Sequence, residues 1–395
     1  MKPLYFLLFF ALILILGGAD RGFDITDEGL YALLAHPFQE NQAGVFNYDL
    51  FFKGLFQIFS FQFGLVELRI LRLVCYFLGA YGLAVFLRNI FKAEKIRSFD
   101  FQVSLFGLFA GYAFLPQSLS YNHLTVVLAC CWLALISGEV TKSRTTFLIG
   151  LILGGLVYVK ISTAFLLALV SGFFIFSKRP SFKELGLIVL PYFLLELIFY
   201  FLLDTSASIR LWSGMGMMMG RQEYALATLF KHTLVGIFWI GLAFGGTFTI
   251  LKWAKYGWWR SLGIIALALF LFWITHITEE WNHVVLILSA QIFALISYWQ
   301  REKLFGLELE QSKWILLLII LPFILHFGSN VYWLRIGIHY WVFWIVAFWI
   351  LLKSAKGFQE KSFGFGLGIL SCVLIFTGIW WKPFEQKSLW KSRLS

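Results

Sequence analysis

Apolar residues run through this chain in continuous blocks, not in alternation. The blocks cover residues 4–16, 74–87, 103–119, 124–136, 147–159, 164–176 and 185–203. They continue at 234–251, 262–274, 284–296, 314–327, 336–352 and 363–380. Unbroken runs of this length predict helices, where a two-residue alternation would predict strands. Several blocks fall short of the roughly 17–25 residues that span a bilayer, so flanking Gly, Ser, Trp and Tyr must extend them into the interface. The pattern predicts an all-α, polytopic membrane protein of about 13 transmembrane helices. Blocks 124–136 and 147–164 decide its topology, because fusing one pair of blocks there would invert everything downstream.

Composition points the same way. The 395 residues are 60% hydrophobic and only 13% charged, against about 25% charged in soluble domains. The net charge of +11 raises nucleic acid as a partner, but the basic residues sit in short clusters between apolar blocks, as in cytoplasmic loops. With the N-terminus inside, every inner loop is basic: Arg88/Lys92/Lys95/Arg97, Lys142/Arg144, Lys178/Arg179/Lys183, Lys252/Lys255/Arg260, Arg301/Lys303/Lys313 and Lys353/Lys356/Lys361. The outer connections at Tyr121-Asn122-His123 and at 276–283 carry no Lys or Arg. The tail with Lys382, Lys387, Lys391 and Arg393 is the exception, since this register puts it outside. The expected location is a cell (inner) membrane, multi-pass, with the N-terminus cytoplasmic. Residues 4–16 resemble a signal peptide, but no small-residue cleavage site follows, so the block reads as the first membrane helix. Cys75, Cys130, Cys131 and Cys372 all lie in apolar blocks, which predicts buried thiols and no disulfide framework.

Two outer segments are long, at about 18–73 and 204–233. Long non-spanning stretches in a compact protein tend to be functional, and both fall on the same predicted side. Residues 50–59, Leu-Phe-Phe-Lys-Gly-Leu-Phe-Gln-Ile-Phe, have the amphipathic pattern of a helix lying in the membrane interface. No repeat and no soluble domain interrupts the chain, so residues 1–395 read as one transmembrane domain.

The stretch Asp24-Ile-Thr-Asp27-Glu28-Gly-Leu-Tyr31 directly follows the first block. Asp24 or Thr26 can cap a short helix running to about His36, stopped by Pro37, and acids in its first turn offset the helix dipole. The same carboxylates, close to a membrane span among Phe and Leu, can serve as a general base or bind a cation. Glu28 and His36 are separated by eight residues, about 12 Å on a continuous helix, so they cannot share one ion. His276-Ile-Thr-Glu279-Glu280-Trp-Asn-His283 gathers polar groups at one outer connection, either as a solvated loop or as part of a site. No metal set follows from spacing, and a divalent cation stays an open option. Glu196, an acid inside block 185–203, is expected to face a cavity or a partner.

An apolar first helix, an outer Asp27-Glu28 pair followed by Tyr31, and about a dozen further spans resemble the GT-C superfamily of membrane glycosyltransferases. That superfamily includes protein O-mannosyltransferases, aminoarabinose transferases and oligosaccharyltransferases. Leu119-Ser-Tyr-Asn122-His123, Val157-Tyr-Val-Lys160-Ile-Ser-Thr163 and Gly328-Ser-Asn330 extend the likeness. The resemblance implies a GT-C-like transmembrane fold and sugar transfer from a polyprenyl-phosphate donor to a lipid, glycan or protein acceptor on the outer (periplasmic) face. It implies Asp27 as catalytic base, with Glu28 its neighbour and a cation ligand. Many relatives carry a second acid where this chain has Tyr121-Asn122-His123, which puts a metal-dependent mechanism in doubt. With Tyr31, Asn122 and His123 as further substrate contacts, the departing phosphate calls for cations. Lys160, Arg210, Arg221, Lys231 and Arg335 are candidates, Lys160 and Arg221 foremost. The alternatives are a polysaccharide polymerase or ligase, carried by the 210–232 region, and a transporter of lipid-linked sugars.

Overall fold

A computed structural model describes residues 2–24, 27–41, 46–114, 116–140, 142–176, 181–219, 226–275, 281–299, 309–328, 336–353 and 359–381. Every regular element among them is helical, and they run α1 Lys2–Gly17, α2 Asp27–Ala35, α3 Asp49–Phe59, α4 Leu65–Ile90, α5 Ser98–Phe109, α6 Tyr121–Ile136, α7 Ser143–Val159 and α8 Ile161–Phe176. They continue with α9 Phe182–Leu203, α10 Ala207–Met219, α11 Leu226–Trp253, α12 Gly257–Thr275, α13 Trp281–Trp299, α14 Leu309–His326, α15 Ile336–Lys353 and α16 Glu360–Ile375, the last prolonged by a π turn Phe376–Trp381. Apart from block 103–119, each apolar block of the sequence falls on one of these helices, and blocks 124–136 and 147–159 stay separate as α6 and α7. Among the described residues five helices are long and apolar enough to cross a membrane: α4, α9, α11, α12 and α16 with its π turn. In α9 and α12 only 11% of the most apolar window is buried within the protein. Helices that are apolar yet bare on most sides have hydrocarbon as their natural solvent.

Three boundaries differ from the sequence reading. Block 74–87 starts nine residues late, because α4 begins at Leu65 and carries Arg69 and Arg72 in its first turns. Their charge breaks the hydropathy but not the helix, since both side chains are buried and bonded. Block 103–119 is helical only to Phe109, then tightens into a 3₁₀ turn at Ala110–Ala113 ahead of Pro116. The second long segment, 204–233, is not a loop throughout, since α10 and the start of α11 occupy much of it.

The chain divides into two compact units: residues Met1–Arg221 with Lys361–Ser395, and Gln222–Glu360. No linker composition marks the division, which is why the sequence reads as one domain. In the first unit α4 packs on α5 and α6, and α7 packs on α6, α8 and α9. Glycines set the close approaches. A Cβ on Gly150 of α7 would overlap the Ile188 carbonyl of α9, and one on Gly154 would lie 3.2 Å from the Tyr192 Cα. Two glycines four apart bring two backbones together in this way. On α4, a Cβ at Gly82 would come within 2.9 Å of the Cys130 carbonyl of α6. In the second unit α13 packs against α11 and α15, and α14 against α15. Ala243, Leu271, Ile287 and Ala290 form one buried cluster there.

The polar groups of the first unit gather at one end, where α1 finishes, α4 and α6 begin, and α7 and α9 finish. At the opposite end the α4 terminus carries Asn89, which donates to the Ala134 carbonyl and Ser137 Oγ of α6. The basic residues Arg88, Lys92, Lys95 and Arg97 cluster around it.

Replacing Gly150 by Ala is expected to force α7 and α9 apart and cost about 1–3 kcal/mol. A fall in the thermal unfolding midpoint of purified protein checks this, and a Gly155→Ala control, whose Cβ meets open space, should leave the midpoint unchanged.

Candidate functional site

The polar end of the first unit is assembled from the Asp24–Tyr31 stretch upward. Helix α2 starts at Asp27 and ends at Ala35, and adjacent residues on a helix point about 100° apart. The two acids therefore part company. Asp27 is exposed, while Glu28 is fully buried.

Glu28 is saturated. Its Oε1 accepts from Arg69 Nε at 3.1 Å and from the Ser118 amide at 2.7 Å. Its Oε2 accepts from Arg69 Nη2 at 2.6 Å and from the Asp24 amide at 3.2 Å. The guanidinium completes its set on the carbonyls of Ala19, Arg21 and Gly22. A guanidinium has five N–H donors and a carboxylate about four acceptor positions, so this buried pair is complete on both sides. Glu28 thus clamps the chain after α1, helix α2, helix α4 and the loop before α6 to one another. In this arrangement it holds the frame and does not face a chamber.

Arg72, one turn along α4 and also buried, donates to the carbonyls of Pro116 and Gln117 and to the Tyr76 hydroxyl. Its guanidinium lies 3.9 Å from the centre of the Tyr112 ring. From neighbouring turns of α4, Arg69 holds the segment after α1 and Arg72 holds the loop before α6.

Tyr31, Asn122, His123 and Lys160 also lie at this end. Tyr31 is buried in an apolar cluster with Tyr48, Phe52, Leu68, Leu119 and Val159, and its ring contacts Tyr121 edge-on at 6.3 Å. Burial, with smaller pushes from Tyr121, Tyr48, Asp27 and Asp24, holds the Tyr31 phenol well above its usual range. It stays protonated. His123 is buried and caps α6: its amide donates to Ser120 Oγ, its Nδ1 accepts from the Ser120 amide, and that nitrogen also lies 3.1 Å from the Ser118 carbonyl. Ser118 lies between the two, its amide donating to Glu28 and its carbonyl set against the His123 ring. Asn122 is half-buried beside it. Lys160, at the junction of α7 and α8, is buried next to Val159 of the Tyr31 cluster. Burial pushes its ammonium down to about 7. Arg221 and residues 276–280 lie outside the described residues, as does Arg335.

A second charged centre was less legible. Asp49, at the start of α3, is fully buried and accepts from Arg210 Nη1 with both oxygens at 2.8 Å. Lys53 adds a contact at 2.7 Å and Asn41 one at 3.1 Å. Arg210 was visible as a candidate cation, but its partner was not, since an acid opening a helix reads as a dipole cap. This centre lies at a mixed polar cavity of about 330 Å³. Asp27 is not among the residues lining that cavity. Glu196 accepts from the Tyr158 hydroxyl at 2.8 Å, the partner expected for an acid inside an apolar block. Among the described residues no three His, Cys, Asp or Glu side chains gather as a metal set.

Fold and site define an all-helical chain with helices fit to cross a membrane and an acid-bearing short helix at one end of its first unit. Neither protein-family models, nor curated proteins, nor solved structures match it.

Two outcomes follow from the charges. Glu28→Gln leaves the Arg69 cation buried without its counter-charge and is expected to cost about 3–5 kcal/mol, read as a lowered unfolding midpoint at unchanged composition of the membrane extract. The depressed Lys160 pKa means the unfolded chain binds the extra proton between pH 7 and the ordinary lysine range, so this residue's penalty is full below about pH 7 and fades as pH rises. Lys160→Met should therefore raise the midpoint more at pH 6 than at pH 9.5; an equal gain at both pH values would contradict the assignment.

Proposed function

We propose that this chain is a membrane glycosyltransferase that moves a sugar from a polyprenyl-phosphate-linked donor to a lipid, glycan or protein acceptor on the outer face of a cell membrane. The observation that carries the reading is the division of labour in α2. Glu28 is buried and tied to Arg69, while its neighbour Asp27 remains exposed at the rim of an apolar helical unit. A short helix that exposes one carboxylate beside a buried tyrosine suits a positioned general base.

In this reading thirteen helices cross the bilayer, the N-terminus is cytoplasmic, and the α2 end of the first unit faces outward. The donor's isoprenoid tail stays in hydrocarbon and its anomeric carbon lies at headgroup level. Asp27 takes the proton of the acceptor hydroxyl as that oxygen attacks the anomeric carbon. The bond to the phosphate oxygen breaks with oxocarbenium-like charge on the sugar, and polyprenyl phosphate leaves. One displacement inverts the anomeric configuration. Lys160 and Arg221 are the proposed phosphate contacts, and a protonated Lys160 is required for that part. Tyr31, Asn122 and His123 shape the surroundings of Asp27. The burial of Tyr31 and the helix-cap bonds of His123 favour positioning over direct chemistry for those two.

A polymerase or ligase is the second reading, favoured by one observation: Arg210, and not Asp27, lines the polar cavity. There the chemistry would be carried by the 210–232 region.

Transfer of radiolabelled sugar from a polyprenyl-phosphate donor, measured in membranes, separates the two. Asp27→Asn is expected to lower the rate by about 10²-fold or more at equal expression. Full activity in that variant, with loss in Arg210→Lys, would leave the polymerase or ligase reading standing instead.

A further inference from the structure

The polar cavity between the 37–41 segment, α3 and the start of α10 plays no part in the proposed Asp27 chemistry. We propose that it binds an acidic sugar, a polyhydroxylated ring that carries one oxyanion. Its volume of about 330 Å³ falls in the usual range of small-ligand sites, about 300–1,000 Å³.

The floor supplies the anion site. Arg210 spends only Nη1 on Asp49, and Lys53 makes a single contact to the same carboxylate. Among the described residues the Nε and Nη2 of Arg210 and two ammonium hydrogens of Lys53 have no acceptor. Both side chains line the cavity and keep 14% and 12% of their surface exposed. Two cations thus stand against one carboxylate at the floor, with spare groups that donate and cannot accept. A carboxylate or a phosphate monoester oxygen is the acceptor that such groups take most strongly.

The walls supply the rest. Gln39 and Thr205 carry amide and hydroxyl groups, which both donate and accept as sugar hydroxyls require, while the Asn41 amide nitrogen is already spent on the Phe46 carbonyl and Asp49. Phe38 is 77% exposed at the rim and offers a flat apolar face to the C–H side of a ring. Glu40 also lines the cavity. Its carboxylate accepts from hydroxyls and repels small, densely charged anions. That combination selects one oxyanion set on a polyol over inorganic phosphate, and over a neutral sugar. Naming this ligand the acceptor rests on the transferase reading; its binding does not.

The test is a titration of the purified full-length chain in detergent with glucuronate, glucose and inorganic phosphate, followed by calorimetry. Glucuronate is expected to bind at least about tenfold tighter than either control, because only it meets both the cations and the walls. Its affinity should fall as ionic strength rises. Arg210→Lys keeps a cation on Asp49 but removes the spare guanidinium edge, and Thr205→Val alters the wall alone; each should weaken glucuronate binding several-fold. Glu40→Gln should tighten it. Equal binding of glucose or phosphate, no binding of glucuronate, or affinities unmoved by Thr205→Val and Glu40→Gln would overturn the proposal. Asp27→Asn protein is the separating arm: it should bind glucuronate as the wild type does. Glucuronate binding in a chain that transfers no sugar would sink the transferase reading and leave this site in place.

Discussion

The clamp between Glu28 and Arg69 is the constraint on which the polar end of the first unit depends. A buried carboxylate and guanidinium each lose several kcal/mol of hydration, and the loss is offset here because every donor and acceptor of the pair is used. The partners come from four separate stretches of chain: residues 19–24, α2, α4 and the loop at 118. Remove any one and the others keep a buried, half-satisfied charge. Such networks are worth most when complete and are costly when broken, so the geometry of this end is specified as a whole. In the proposed transferase, the exposure of Asp27 follows from the burial of Glu28, because a helix cannot turn both faces inward.

Around that clamp, the molecule keeps its polar chemistry off the apolar helices by concentrating it at helix ends. Arg72 is buried against two tyrosine rings and two carbonyls. Asp49 is ringed by Arg210, Lys53 and Asn41. Glu196, inside α9, is an exception and is tied to Tyr158. Between the ends, contact is made by glycine faces and apolar side chains, as at Gly150 against Ile188 and Gly82 against Cys130. Two chemically distinct places result: the rim of α2 with Asp27, and the cavity floored by Asp49 and Arg210. A reaction that joins a lipid-borne group to a polar acceptor needs two such neighbourhoods, one near hydrocarbon and one wet.

Much of the local structure could be read directly. The start of α2 at Asp27 and its stop before Pro37, the amphipathic α3, and the need of Glu196 for a partner all follow from residue type and spacing. Local rules failed where a charge sat inside a helix. Arg69 and Arg72 pushed the apparent start of α4 to residue 74, because hydropathy counts a buried, fully bonded arginine as if it faced water. Their spacing of three, flanked by Leu68, Ile70, Leu71 and Leu73, was the available signal: two cations on one face of an otherwise apolar helix ask for a buried partner. Gly150 and Gly154 were a second signal, a small-residue pair four apart inside an apolar block.

By itself, then, the sequence determined the helical class, the apolar character of the spans and the short acid-bearing helix, since each depends on contacts within a few residues. Tertiary structure alone decided which acids are buried against a cation and which is exposed, because Glu28 meets Arg69 across 41 positions and Asp49 meets Arg210 across 161. It also decided that the chain packs as two units. Hydropathy and periodicity are sums over neighbours along the chain, whereas the partner of a buried charge is set by which helices lie side by side, and that is known only once the whole chain has packed.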